Sequence, residues 1–153
     1  MSDPFVDTDV IIRLLTGDDP QKQAAAAALF ERVERGQAMV AAPDTAIADA
    51  VHVLASPRLY HLPRPQVSAL LTTLARLPNF HVGNRQAVLR ALEMYATTDL
   101  DFGDVFLVAS MEQAGSDVIY SYDKGFDKLQ GITRHEPRAG AACLVRSRSS
   151  KLV

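Results

Sequence analysis

Thirteen aspartates stand against five glutamates in a chain of 153 residues, although glutamate is the better helix former and the natural filler of an exposed helical face. The excess needs a positional explanation: either these side chains cap helices and make turns, or some of them converge on a cation. Asp7 follows Phe5 and Val6 directly and precedes Thr8, where the chain leaves an apolar segment; capping the next helix, with Asp9 as a first-turn charge, is its alternative role. Asp101 and Asp104 lie three apart ahead of the apolar run VFLVAS, a spacing that also suits an N-cap and the third residue of a helix. Asp123 closes VIYSYD before Lys124 and Gly125, and by itself it suits a turn equally well. Their joint pattern says more than its parts, because crowded carboxylates repel and raise one another's pKa unless a cation fills the gap. Mg²⁺ fits such a site: it takes hard oxygen ligands, keeps several waters and leaves room for a substrate phosphate.

The elements that would position these groups follow from periodicity and punctuation. PFVD reads as a short strand, and TDVIIRLL as a helix stopped by Gly17. Pro20 opens a second helix that runs on strong helix formers to Gly36, and QAMVAAP reads as a strand. Asp44 is the expected cap of a helix through TAIADAVHVLAS, Pro65 opens another, and Pro78 separates that one from a brief FHV strand. NRQAVLRALEMYA is amphipathic; Asp101 begins a largely buried helix ended by Gly115. DVIYSYD is the clearest strand, followed by a helical turn in KGFDKLQ and a last strand in GITRH. Strands alternating with helices of this length predict an α/β chain, three-layered α/β/α, with a central and mostly parallel sheet. Sites in such sheets gather at the carboxyl ends of strands, where Asp7 and Asp123 both fall.

The whole chain sets outer bounds. With 48% hydrophobic and 22% charged residues it reads as one domain with a real core. A single thiol, Cys143, points to packing rather than a disulfide. The opening MSDPFVD lacks a basic start and an apolar signal core, and no apolar run approaches the ~20 residues that span a bilayer, so a cytoplasmic protein with no membrane contact is expected. A net charge of −2 argues against binding nucleic acid through general positive charge. It does not exclude a nuclease whose carboxylates hold cations, and Arg134, Arg138, Arg146 and Arg148 could steer a polyanion, or else belong to a solvated tail.

These motifs carry a resemblance. FVDTDVIIRLLTGDDP resembles the opening of PIN domains of the VapC kind, DFGDVFLVASMEQAG resembles their Asp-bearing fourth-helix region, and VIYSYDKGFDKL resembles the late strand that ends in Asp. The motifs appear in family order, and the likeness covers the chain before its C-terminal tail. The resemblance implies a PIN-like nuclease domain over residues 1–140 with a tail at 141–153. It implies a Mg²⁺- or Mn²⁺-dependent endoribonuclease, leaving a 3′-hydroxyl and a 5′-phosphate, that acts as the toxin of a toxin–antitoxin pair. Metal binding falls on Asp7 and Asp104, with Asp123 as a supporting acid of the same metal set and one or two ions lying between these three and Asp49. Thr8 and Ser121 orient carboxylates, and Asp101 assists. The implied partners are RNA, a VapB-like antitoxin and a second copy of the chain in a homodimer. One position departs from the pattern: the family places Glu on the helix after the second strand, where this sequence has Asp49, one methylene shorter, reaching a metal directly, through water, or not at all.

Rival readings remain at this level. Asp7-Thr8-Asp9-Val10 also suits the opening of aspartyl phosphatases, but Gly103-Asp104 is followed four residues on by Val108 instead of the second acid such enzymes use. A phospho-accepting receiver lacks its separate strand-end Asp with a downstream Lys. A PIN-like domain that binds RNA or a partner without cutting is favoured by Asp49. His52, three residues beyond Asp49, reads as a core or edge histidine.

Overall fold

The computed structural model describes residues 2–139; Cys143, Arg146 and Arg148, with the expected tail, lie outside them. The chain divides between Gln113 and Ala114 into two compact units.

In the first unit, residues Pro4 to Val6 run extended beside the next strand, with Val6 N donating to Ala41 O at 2.9 Å and Ala41 N to Pro4 O at 2.9 Å. The expected first strand is thus realised as one parallel bridge, Phe5 to Ala41. Helix α1, Thr8–Leu15, buries Ile11 and Ile12. Helix α2, Pro20–Glu34, begins with proline in its first turn, where the missing N–H costs nothing. The Asp19 carboxylate caps it, accepting from Lys22 N at 3.1 Å. Ala26, Phe30 and Val33 form its buried stripe, and Gly36 ends it at φ +75°, a conformation that favours glycine.

Strand β1, Val40–Ala42, is buried throughout and pairs in parallel with β2, Phe80–Val82. Helix α3, Asp44–Ala55, differs from expectation at its start. Pro43 occupies the capping position without a side-chain bond, and Asp44, already helical, accepts instead from Asn84 Nδ2 at 2.7 Å. A Cβ on Gly83 would stand 3.3 Å from Asp44 N, so glycine lets the chain leaving β2 pass close to the start of α3. Helices α4, Arg64–Ala75, and α5, Arg85–Thr97, pack together, and the buried hydroxyl of Ser68 donates to Leu92 O at 2.7 Å. Helix α6, Phe102–Ala114, buries Phe102, Val105, Val108, Ala109 and Met111.

Ile11, Ile47, Leu54, Leu71, Phe80 and Leu92 are fully buried, and Phe30 meets Phe80 edge to face at 5.4 Å. Burying a side chain of this kind contributes about 1.5–3 kcal/mol, so this cluster, more than the three-residue ladders, holds the first unit together. In the second unit, β3, Val118–Tyr120, pairs in parallel with β4, Thr133–His135. A 3₁₀ segment, Lys124–Lys128, lies between them and buries Phe126. Mixed α/β structure with short, parallel strands is the expected class, and no helix among the described residues is long and apolar enough to cross a membrane.

Candidate active site

Asp7 sits where the extended segment turns into α1. It is exposed, and its Oδ1 accepts from Thr8 N at 2.7 Å, which makes it the helix cap and fixes one carboxylate oxygen. Thr8 was expected to orient a carboxylate, but its hydroxyl donates to Ala46 O at 3.4 Å. The group it positions is therefore helix α3, because Thr8 meets that helix in its first turn. Asp49 lies three residues past Ala46, one turn along. It is exposed and has no hydrogen-bonding or ionic partner among the described residues.

Asp101 and Asp104 are brought together as their spacing predicts. Asp101 Oδ1 accepts from Asp104 N at 3.0 Å and Asp101 O from Val105 N at 3.2 Å, so Asp101 caps α6 and Asp104 lies in its first turn, half-buried. In the second unit, Asp123 Oδ1 accepts from Gly125 N at 2.8 Å, capping the 3₁₀ segment. Ser121 Oγ accepts from Asp123 N at 2.9 Å, so Ser121 fixes the backbone of Asp123 and not its carboxylate. Asp7, Asp101, Asp104 and Asp123 therefore fill the structural roles that were their alternative readings, and the cap occupies one oxygen of Asp7, Asp101 and Asp123.

Arg134, expected to steer a polyanion, is otherwise engaged. It makes paired bonds to Asp127 at 2.9 and 3.2 Å and a third to Glu136 at 3.0 Å. Those hydrogen bonds raise its pKa further above the ordinary arginine value and lower that of Asp127. Arg138 remains exposed.

A network that sequence reasoning missed ties the loop after α1 to the loop after α3. Asp18 accepts from Tyr60 Oη at 2.8 Å, from Thr16 Oγ1 at 3.1 Å and from Arg13 Nη1 at 3.1 Å. The Tyr60 bond above all holds its carboxyl below the usual aspartate range. It links the elements that carry Asp7 and Asp49, across a sequence separation that no local pattern announces.

Among the described residues no group of three or more His, Cys, Asp or Glu side chains gathers to hold a metal ion. The donors nonetheless have the right chemistry: carboxylate oxygens suit Mg²⁺ or Mn²⁺, and Mg²⁺ is commonly held by one or two carboxylates with waters and substrate phosphates completing its sphere.

Carboxylates at helix starts on a parallel α/β scaffold are hard-oxygen donors of the kind that suits a divalent cation. The family model described as PIN domain matches residues 5–132, a span that takes in Asp7, Asp49, Asp101, Asp104 and Asp123, and the chain belongs to that family. PIN domains are in general nucleases, and those nucleases in general use divalent metal ions. No curated protein matches the chain.

Proposed function

We propose that this PIN domain is a Mg²⁺- or Mn²⁺-dependent endoribonuclease and the toxin of a VapBC-type toxin–antitoxin pair. The observation that carries the reading is that the three acidic motifs fall in family order inside the matched span, with Asp7 and Asp104 at the starts of two helices. Asp7 and Asp104 are the residues to hold the metal. Asp123, from its motif, supplies further negative charge, and Asp49 stands in for the family glutamate. When bound, the metal activates water and neutralises charge on the phosphodiester. The chain's own part is orientation: the Thr8 N bond holds the Asp7 carboxylate, the Asp101 cap holds the first turn that carries Asp104, and the Thr8–Ala46 contact sets the start of the helix that carries Asp49.

The antitoxin partner is supported by an apolar groove of about 480 Å³ among α1, α2 and α4, lined by Leu14, Leu15, Phe30, Leu70 and Leu77 together with Glu31 and Glu34. An amphipathic helical segment with basic residues beside its apolar face is the occupant this groove suits. The homodimer rests on the resemblance alone. Asp49 favours one second reading, a PIN domain that binds RNA without cutting. Mapping RNA fragments after incubation with purified protein, with and without Mg²⁺ or Mn²⁺, separates the two. Metal-dependent fragments ending in 3′-hydroxyl support the nuclease, and intact RNA at all metal concentrations refutes it.

A further inference from the structure

A cleft of about 450 Å³ opens in the first unit beside the start of α6, lined among others by Val51, His52, Ser56, Arg64, Tyr95 and Asp101. Its size falls in the range of small-ligand sites, roughly 300–1,000 Å³, and its chemistry is mixed. Arg64 is locked into the wall: its Cζ stands 3.7 Å from the Tyr95 ring centroid, Nε donates to Tyr95 O at 2.9 Å and Nη2 donates to Leu100 O. Nη1 makes no hydrogen bond among the described residues, so a pre-organised planar cation keeps one donor in reserve. Asp101 spends Oδ1 on the cap of α6, while Oδ2 accepts from no donor among the described residues. His52 is exposed and adds a ring with a polar edge.

We infer that this cleft seats an unpaired guanine base of the RNA, next to the phosphodiester at Asp104; the inference rests on the nuclease reading above. Unpaired RNA bases are recognised by stacking on aromatic or guanidinium planes and by hydrogen bonds to their edges. Guanine alone among the four bases carries two adjacent donors, N1–H and N2–H, and a carboxylate, which only accepts, is their complement. Adenine and cytosine each set a donor beside an acceptor, and uracil sets one donor between two acceptors. The reserve donor of Arg64 suits the guanine acceptors O6 and N7. Asp101 and Asp104 lie one helical turn apart, a rise of about 4.5 Å, which brings base and phosphate within reach of a single nucleotide.

The test uses the full chain in EDTA and four labelled RNA heptamers, uridine throughout except for a central A, C, G or U, read by fluorescence anisotropy. Wild type binds the G heptamer roughly tenfold more tightly than the others, as one well-placed pair of hydrogen bonds allows. Ala55→Leu, which adds volume at a half-buried position on the cleft wall, abolishes that preference. Asp101→Asn keeps Oδ1 for the α6 cap and replaces the free carboxylate oxygen by an amide NH₂, a donor facing guanine's donors, so the guanine preference is lost. Equal binding of all four by wild type, or a preference that survives Ala55→Leu, overturns the inference. Cleavage is followed separately in Mg²⁺. A guanine preference without cleavage keeps the cleft and removes the nuclease reading, whereas cleavage with no regard to guanine keeps the nuclease and removes the cleft.

Discussion

Replacing Asp7 by asparagine and by alanine should separate its two duties. The carboxylate caps α1 through a 2.7 Å bond from Thr8 N and is exposed. Alanine removes the cap, which costs about 1 kcal/mol within a range of roughly 0.5–2. For a chain of this size that lowers Tm by about 2–4 °C per kcal/mol. Asparagine keeps an oxygen in the same place and is an equally good cap; what it loses is the attraction of a full charge for the helix N-terminus, about 0.3–1 kcal/mol at an exposed site. In EDTA the asparagine variant should therefore melt closer to wild type than the alanine variant, which loses the cap as well as the charge. In Mg²⁺ both should lose RNA cleavage and toxicity, because an amide is a far weaker ligand for a hard cation. Wild-type cleavage by Asp7→Asn refutes the metal-ligand role. Equal destabilisation by both substitutions refutes the cap as the source of the stability loss.

Mg²⁺ or Mn²⁺ should raise the wild-type Tm in proportion to the logarithm of concentration once the site is saturated, and Asp7→Asn/Asp104→Asn should lose the response; equal shifts in both proteins mean nonspecific ion effects. Asp49→Ala should lower cleavage roughly 10- to 100-fold, the usual effect of an outer-shell partner of a metal, while Asp49→Glu retains or raises it; unchanged rates in Asp49→Ala make Asp49 a surface residue. Because Tyr60 lowers the Asp18 pKa, the link between the two loops contributes stability that is present above the ordinary aspartate pKa of about 3.9 and is lost as pH falls through the lower folded-state value. Tyr60→Phe should move the NMR titration of Asp18 upward, and an unmoved titration assigns the shift to Thr16 and Arg13.

The helices were legible because their signals are local: Pro20 in a first turn, Gly36 at an end, and Asp101 three residues before Asp104. The same locality explains the misreading at α3. Asp44 looks like a cap, but Asn84 draws its carboxylate away, and Pro43 takes the capping position. Of the candidate residues, sequence reading placed Asp7, Asp101 and Asp104 at helix starts, where they stand, but misjudged the hydroxyls, since Thr8 finds its partner 38 residues away and Ser121 binds backbone. His52 read as a core or edge residue because nothing local shows that Arg64, Tyr95 and Asp101 share its cleft. The Asp18–Tyr60 bond spans 42 residues and leaves no periodic trace.

That aspartates cap α1 and α6 also bears on the protein at rest. The N-terminus of a helix carries roughly half a positive charge, so the Asp7 carboxylate and the Asp101–Asp104 pair each face a built-in counter-charge made of backbone N–H groups. Part of the charge on these carboxylates is thus met by the backbone itself. The same standing charge competes with an incoming cation for the carboxylates. On the nuclease reading proposed above, metal occupancy would follow the free Mg²⁺ or Mn²⁺ around the protein, and the ion would come and go with the phosphate it serves.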